Sequence, residues 1–199
     1  MTLIAVEGLD GAGKTTQVSM LASALSTVDI VSFPRYDTFF GRHIRALLDG
    51  SGGLSAQTVD PRSMALWYAL DRAQWARDRK PGSYILNRYT LSNAVYQSAR
   101  AQDPELFDWV LRLEFEELEL PRPDATVVLD VPPDVSRERV VGRDGEGDVY
   151  ERSHGLLARV RDGYLSAAAR LPNVVVVPAV GTPDEVHAAV LSALEPFRL

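Results

Sequence analysis

Residues 8–15 read Gly8-Leu9-Asp10-Gly11-Ala12-Gly13-Lys14-Thr15 and fit the pattern G-x-x-x-x-G-K-[ST] at every position. A short apolar run precedes this stretch and a helical pattern comes after it. The glycines allow backbone N–H groups to converge on phosphate oxygens without obstruction by a Cβ atom, and the start of the next helix adds partial positive charge. The stretch therefore predicts a phosphate-binding loop between a strand and a helix.

The side chains at the end of this loop indicate which phosphates bind. We expect Lys14 to reach the β- and γ-phosphates of ATP, and Thr15 to offer its hydroxyl to Mg²⁺, which prefers oxygen ligands. The residues predicted to bind ATP are Gly8, Gly11, Ala12, Gly13, Lys14, Thr15 and Thr16.

Outside the loop, short β-rich apolar runs alternate with longer helical patterns. The predicted strands are 3–6, 30–33, 84–86, 126–131 and 174–177, and the predicted helices are 14–26, 61–79, 91–101, 104–118, 134–141, 150–170 and 183–194. Near-continuous hydrophobicity is typical of parallel strands that are covered on both faces. The pattern predicts an α/β fold of the P-loop NTPase type, with a five-stranded parallel sheet and helices on both faces.

The chain length and one glycine-rich segment indicate the domain organisation. A chain of 199 residues with 46% hydrophobic residues has the usual size of one domain, so we expect a single domain over residues 1–199. Residues 142–148 contain three glycines among charged residues, which predicts a mobile loop. We place a short lid over the site at about residues 142–150.

Composition excludes several classes of function. The formal charge of −6 gives no general attraction for a nucleic-acid polymer. The absence of cysteine excludes disulfides, thiol catalysis and cysteine zinc sites, and the three histidines lack metal-ligand spacing. The N-terminal apolar run is too short for a signal peptide or a membrane span, so we expect a cytoplasmic protein without a membrane partner.

Polar residues after two further strands predict an acceptor site. Phe33-Pro34-Arg35-Tyr36 ends the second predicted strand and Asn87-Arg88-Tyr89 comes after the third. Ligands of open α/β sheets bind outside these carboxyl ends of the strands. Arg35 and Arg88 are therefore candidates for holding a phosphate.

Two helical stripes add candidates for recognition of a base. Tyr68 and Arg72 are four residues apart and share a helix face, where an aromatic ring and a guanidinium could meet one planar base. Asn93, Tyr96 and Arg100 form a similar stripe on the next helix. From these residues alone, the favoured alternative is that the aromatic side chains pack in the core or on the surface and that the arginines are solvated charges.

Taken together, these segments resemble the thymidylate kinases, specifically the bacterial ones and most closely their actinobacterial branch. The matching segments are Val6-Glu7-Gly8-Leu9-Asp10-Gly11-Ala12-Gly13-Lys14-Thr15-Thr16-Gln17, Phe33-Pro34-Arg35-Tyr36, Ala69-Leu70-Asp71-Arg72, Arg88-Tyr89 with Ser92-Asn93-Ala94, and Asp148-Val149-Tyr150-Glu151-Arg152. The loop alone is generic, but the set is specific and extends across most of the chain.

The resemblance implies transfer of the γ-phosphoryl group of ATP to deoxythymidine monophosphate (dTMP) with Mg²⁺, and it implies a homodimer. By the resemblance, Tyr68 stacks on the base, Arg72 and Asn93 hydrogen-bond thymine, and Tyr96 lies near the sugar. The implied substrate-binding set is Phe33, Arg35, Tyr68, Arg72, Arg88, Asn93 and Tyr96. The implied catalytic set is Lys14, Arg88, Asp10, Arg143 and Tyr36, and the implied metal set is Asp10, Thr15 and Glu151, with Asp148 near Glu151.

The sequence departs from the family in two places. The lid has few basic residues, so that Arg143 and Arg152 are the available lid cations. Asn87 stands where the family usually has aspartate, and an amide cannot supply a carboxylate charge to Mg²⁺. We expect this change to be tolerated, with Asp10 and Glu151 holding the metal. Asp130, at the end of the fourth predicted strand, is a rival for the metal carboxylate.

Two other functions stay open at this point. One is a kinase for another nucleoside monophosphate or for a deoxynucleoside. The other is a nucleotide-binding regulatory module that is catalytically weakened at Asn87.

Overall fold

The computed structural model describes residues 2–25, 27–51, 53–144 and 154–197. These residues contain one five-stranded sheet in the order β2-β3-β1-β4-β5, and every pairing in it is parallel. The strands are β1 (Leu3–Gly8), β2 (Val28–Ser32), β3 (Ser83–Asn87), β4 (Ala125–Asp130) and β5 (Val174–Pro178). The predicted five-stranded parallel sheet is confirmed.

Helices cover both faces of this sheet. They are α1 (Lys14–Ala24), α2 (Phe39–Asp49), α3 (Pro61–Asp78), α4 (Thr90–Ala101), α5 (Pro104–Arg112), α6 (Pro133–Asp144), α7 (His154–Arg170) and α8 (Pro183–Leu194). Alternate residues of β1 enter different apolar clusters, with Ile4 and Val6 in one and Leu3 and Ala5 in the other. Such alternation requires packing on both faces, which explains why β1 is buried throughout. No helix of the described ranges is long and apolar enough to cross a membrane.

Three of the helices begin at the predicted residues 61, 104 and 183, and each has a capping side chain followed by proline. Asp60 accepts a hydrogen bond from the Ser63 N–H at the start of α3, and Asp103 accepts one from the Glu105 N–H at the start of α5. At α8, the Thr182 hydroxyl and the Glu185 carboxylate form a reciprocal capping box. Each cap satisfies N–H groups that have no partner within the helix, which fixes where the helix starts.

Two features differ from the sequence-based prediction. Helix α2 was not predicted, although it has the Thr38 cap and ends at Gly50 in the left-handed conformation. The predicted helix 104–118 is α-helical only to Arg112 and then forms a π-helical turn, Leu113–Glu117. In this turn the Leu118 N–H bonds the Leu113 carbonyl five residues back. Helical periodicity does not distinguish such a turn from an α-helix.

Gly41 allows α2 to approach the segment after β2 closely. A Cβ atom at Gly41 would lie 1.8 Å from the Arg35 carbonyl oxygen. Because that neighbour is backbone, Gly41→Ala is expected to lower the free energy of unfolding by about 3 kcal/mol. Gly142→Ala is the matched control, since a Cβ atom at this position of α6 meets nothing within 4 Å. Urea unfolding of both variants checks this, and equal midpoints would contradict it.

Candidate active site

The predicted phosphate loop connects β1 to α1, and three of its glycines, Gly8, Gly11 and Gly13, have positive φ angles. Gly8 and Gly11 have φ angles of 138° and 76°, which L-residues with a side chain rarely adopt. A Cβ atom on Gly8 would lie 2.5 Å from the Leu129 carbonyl oxygen, and one on Gly11 would lie 2.5 Å from that of Ser136. The loop therefore packs backbone against backbone on β4 and α6, which leaves its other side open to a ligand.

Lys14 begins α1 and folds back over this loop. Its Nζ donates to the carbonyl oxygens of Leu9 at 2.7 Å and Gly8 at 3.3 Å, and lies 3.6 Å from Asp10 Oδ1. Burial lowers the pKa of the Lys14 ammonium to about 8, because desolvation and nearby Arg88 outweigh the attraction of Asp10. The ammonium thus lies inside the loop, held by neutral carbonyls that an anionic phosphate oxygen can replace.

Arg88 connects the phosphate loop to α4. Its Nη2 lies 2.5 Å from Asp10 Oδ1, and its Nη1 donates to Ser92 Oγ at 2.9 Å and to the Gly8 carbonyl at 3.2 Å. Desolvation by burial opposes ionisation of Asp10, but Arg88 and Lys14 outweigh it and hold the pKa of that carboxyl below its usual range. Arg88 itself has a φ of 66°, so the turn after β3 directs its guanidinium back across the loop.

The Tyr96 ring lies beside this pair. The Arg88 guanidinium is 5.2 Å from the ring centroid, and the Tyr96 hydroxyl donates to Asp10 Oδ2 at 3.3 Å. Burial raises the pKa of the Tyr96 hydroxyl well above its ordinary value, so the group stays a donor at neutral pH. The structure therefore brings together Asp10, Arg88 and Tyr96, which the family resemblance assigns to the catalytic and substrate-binding sets.

Glu7 is a buried carboxylate near Arg88, and sequence reasoning did not identify it. It accepts hydrogen bonds from the N–H groups of Tyr89 at 2.8 Å and Ser92 at 3.1 Å, and from the Ser92 hydroxyl. Burial raises the pKa of Glu7 despite these donors and nearby Arg88. Ser92 lies in the first turn of α4 and also accepts a hydrogen bond from Arg88. By holding Ser92, Glu7 therefore helps to orient the Arg88 guanidinium. The signal available in the sequence was Glu7 itself, a charged residue directly after the apolar residues of β1.

A cleft next to the phosphate loop contains most of the predicted acceptor residues. Its lining includes Asp10, Phe33, Tyr36, Tyr68, Arg72, Arg88, Asn93 and Tyr96. It also includes Pro34, Leu48, Ser92 and Gln97, which were not predicted. The cleft over the loop is lined by Gly11, Gly13, Lys14, Thr15, Thr16, Ser32, Asn87 and Arg139. It shares Asp10, Phe33, Pro34, Tyr36 and Arg88 with the first cleft. The two clefts are therefore continuous at Arg88.

Arg72 and Asn93 are held by Glu114, another residue that sequence reasoning missed. Arg72 donates from Nε to Glu114 Oε2 at 2.7 Å and from Nη2 to Oε1 at 2.5 Å. Asn93 Nδ2 donates to the same Oε1 at 2.7 Å and to the Ala65 carbonyl at 3.0 Å. The Asn93 Oδ1 atom is buried and has no hydrogen-bond partner among the described residues. An orphaned acceptor in a cleft lining indicates a bound donor.

Arg35 is oriented by Asp71 of α3. Its Nε lies 3.3 Å from Asp71 Oδ1, its Nη2 donates to the Asp71 carbonyl at 3.1 Å, and its N–H donates to Oδ2 at 2.8 Å. Arg35 is not among the residues that line either cleft. Of the two arginines predicted to hold a phosphate, the structure therefore brings Arg88 to the junction and holds Arg35 against α3.

The candidate metal ligands lie at the mouth of the loop. Asn87 Nδ2 is 3.4 Å from Thr15 Oγ1, and Asn87 Oδ1 is buried without a partner among the described residues. An unpaired amide oxygen, a hydroxyl and the Asp10 carboxylate are hard oxygen donors of the kind that Mg²⁺ prefers, so these residues fit a magnesium ion. The rival Asp130 is engaged elsewhere, with Arg161 Nε and Nη2 at 2.7 and 2.9 Å from its carboxylate.

Most of the predicted lid lies outside the described residues. Helix α6 continues to Asp144, so residues 142–144 are helical in backbone. The side chain of Arg143, and residues Asp148, Glu151 and Arg152 as a whole, lie outside the part of the chain that the structure describes. Their predicted roles stay predictions.

A glycine-built phosphate loop, an adjoining cleft lined by aromatic and polar side chains, and an arginine at the junction define a P-loop kinase of small phosphorylated molecules. Comparison with known proteins narrows this class. The family model described as thymidylate kinase matches residues 6–190. This chain belongs to the thymidylate kinase family.

Relatives and a solved structure agree with this assignment. The thymidylate kinase of Mycobacterium tuberculosis (strain ATCC 25618 / H37Rv) is 38% identical over 186 residues, which cover 84% of this chain and 86% of the relative. The probable thymidylate kinase of Thermococcus onnurineus is 32% identical over 204 residues and 96% of each chain. The solved structure of the Candida albicans thymidylate kinase superposes with a TM-score of 0.80 at 25% identity, over 99% of this chain and 92% of that one. Because archaeal and bacterial proteins both match, the comparisons support the family and not the actinobacterial branch.

Proposed function

We propose that this protein transfers the γ-phosphoryl group of ATP to dTMP and yields dTDP and ADP. The proposal rests on the meeting of two clefts. The cleft over the loop (the phosphate cleft) and the cleft next to it that contains Tyr68 and Tyr96 (the aromatic cleft) share Asp10 and Arg88. Two nucleotides bound in these clefts would have their phosphates end to end at this junction. Phosphoryl transfer needs such positioning together with compensation of negative charge, and little covalent participation by the protein.

The donor is held by the loop. Gly8, Gly11, Ala12, Gly13, Thr15 and Thr16 offer backbone N–H groups and hydroxyls to the phosphates of ATP, and Lys14 exchanges its carbonyl partners for phosphate oxygens. Asp10 and Thr15, with Glu151 by family resemblance, would hold Mg²⁺, which supplies positive charge to the phosphates when bound. Arg143 or Arg152 would add a lid cation during closure, which excludes water as a competing acceptor.

The acceptor is held by the cleft next to the phosphate loop, the one lined by Tyr68, Arg72 and Asn93. Arg88 contacts the dTMP phosphate, Arg35 joins it by family resemblance, and Tyr36 lies beside the transfer site. Phe33 and Tyr68 cover the base, Arg72 and Asn93 bond its polar edge, and Tyr96 lies at the sugar. The acceptor phosphate is already anionic, so that no general base is required.

An assay of the purified protein against a panel of nucleoside monophosphates and deoxynucleosides tests this function. We expect dTMP to have the highest kcat/KM of the panel with ATP as donor. A strong preference for another acceptor, or ATP binding without diphosphate product, would overturn the proposal.

Asn87→Asp tests whether the amide at this position is tolerated. The variant is expected to change kcat by less than about 100-fold, because Asp10 and Glu151 can supply the carboxylates to the metal. A larger rise in kcat would mean that the missing carboxylate limits turnover. Asp130→Asn provides the comparison, and we expect its kcat within about fivefold of wild type because Asp130 pairs with Arg161.

Four further properties belong to the same proposal: a single domain over residues 1–199, a homodimer in the cytoplasm, no nucleic-acid polymer or membrane as partner, and membership of the actinobacterial branch. The family supports the dimer, and the formal charge of −6 supports the absence of a nucleic-acid partner. Light scattering checks the dimer, and a monomer mass at assay concentration would contradict it.

A further inference from the structure

Glu114 is a fully buried carboxylate that does not line the acceptor cleft but bonds Arg72 and Asn93, which do. It has no exposed surface and lies in the π-helical turn after α5. Its two oxygens accept hydrogen bonds from Arg72, Asn93 and the Thr90 hydroxyl, the last at 2.7 Å. A carboxylate has about four acceptor positions, and these four bonds use them. Glu114 therefore has no capacity left for a ligand and acts only on its neighbours.

The contacts of Glu114 fix which way the Asn93 amide points. The Nδ2 atom lies between two acceptors, Glu114 Oε1 and the Ala65 carbonyl, and a flipped amide would place oxygen against both. The nitrogen must therefore face Glu114 and the oxygen must face away from it. That oxygen is the buried atom without a partner among the described residues, in a side chain that lines the cleft. Glu114 thus makes Asn93 an obligatory acceptor toward the ligand.

The same carboxylate places a donor beside that acceptor. Arg72 Nη2 and Asn93 Nδ2 share the single atom Glu114 Oε1, so the two side chains are neighbours, and both line the cleft. A guanidinium can only donate. The cleft therefore presents a donor next to an acceptor, which complements a carbonyl oxygen next to an N–H. Thymine and uracil carry this pair at O4 and N3, whereas cytosine carries an amino group next to a bare nitrogen.

We propose that Glu114 is a positioning residue that sets the pyrimidine specificity of the enzyme, by locking the Asn93 amide and the Arg72 guanidinium in one donor and acceptor order. This inference rests on the proposed dTMP kinase function. It assigns Glu114 no contact with the substrate and no role in phosphoryl transfer.

The test is Glu114→Gln, which keeps the shape and replaces one acceptor oxygen by a donor. In this variant the orientation of the Asn93 amide and of the Arg72 guanidinium is no longer fixed by two carboxylate oxygens, and the Ala65 carbonyl is the acceptor that still holds Asn93 Nδ2. We expect KM for dTMP to rise by about 10- to 100-fold with kcat within about fivefold of wild type. We also expect the ratio of kcat/KM for dTMP to that for dCMP to fall by at least about tenfold. Glu116→Gln, an exposed position in the same turn, is the matched control and should keep both values.

Outcomes of this test separate a specific role from a structural one. If Glu114→Gln loses thermal stability and both substrates lose kcat/KM in parallel at an unchanged ratio, Glu114 only supports the fold and the proposal is wrong. If Glu114→Gln is recovered unfolded, Glu114→Asp decides, because the carboxylate is retained. Its dTMP over dCMP ratio should stay within about threefold of wild type while KM rises, and a lost preference would overturn the proposal. A wild-type protein without dTMP kinase activity would instead refute the proposed function.

Discussion

Lys14→Ala is expected to lower kcat with ATP and dTMP by about 1000-fold or more, because it removes the fixed positive charge inside the phosphate loop. This ammonium bonds the Leu9 and Gly8 carbonyls and lies within 4 Å of Asp10. With phosphates bound, no other side chain of residues 8–15 carries a positive charge. Initial rates at saturating ATP and dTMP measure the effect.

The chain offers a matched control for this experiment. Lys80 is the only other lysine in the sequence, and its side chain is exposed just after the end of α3, away from both clefts. Lys80→Ala should keep kcat within about twofold, as substitutions of exposed side chains usually do. Wild-type turnover by Lys14→Ala would refute the assignment of the loop as the ATP site.

Arg88→Lys is the second variant with a large expected effect. We expect kcat/KM for dTMP to fall by about 100-fold or more although the charge is kept. The guanidinium bonds Asp10, Ser92 and the Gly8 carbonyl at once, and an ammonium cannot reproduce that fork. The turn at Arg88 has a positive φ, so the shorter reach of lysine cannot be recovered by a backbone shift without moving α4.

Arg170→Lys is the control for this variant. Arg170 pairs with Asp108 at 2.7 Å on the surface of α7, where both side chains are about half exposed. Exposed ion pairs contribute little to stability, and kcat/KM should stay within about twofold of wild type. If Arg88→Lys behaves like Arg170→Lys, the cleft junction is not where the acceptor phosphate binds.

The strands and the loop were predictable from sequence because their signals are local. Continuous apolar runs predict buried parallel strands. The structure has all five strands, and each observed strand end lies within two residues of the predicted one. The loop pattern encodes its own conformation through Gly8 and Gly11. Tyr68, Arg72, Asn93 and Tyr96 were identified by helical spacing and family resemblance, and the structure brings them into one cleft.

The residues that sequence reasoning missed act through partners far away in the chain. Glu114 bonds Arg72 and Asn93, which are 42 and 21 residues distant, and Glu7 bonds Ser92, which is 85 residues distant. A buried carboxylate looks like any surface carboxylate until the donors around it are known. Helix α2 was missed because Gly41 weakens its helical pattern, although close packing on Arg35 requires that glycine.

The π-helical turn at Leu113–Glu117 makes the length of the chain itself a determinant of recognition. An ordinary α-helix would complete this turn with one residue fewer, and each residue removed from a helix rotates the downstream chain by about 100°. A single deletion just before Glu114 would rotate its carboxylate by about 100° away from Arg72 and Asn93, although the amino acids of the cleft lining stayed the same. Alignment gaps in this turn between relatives would therefore mark a change in the nucleobase accepted, even where the residues that line the cleft are identical.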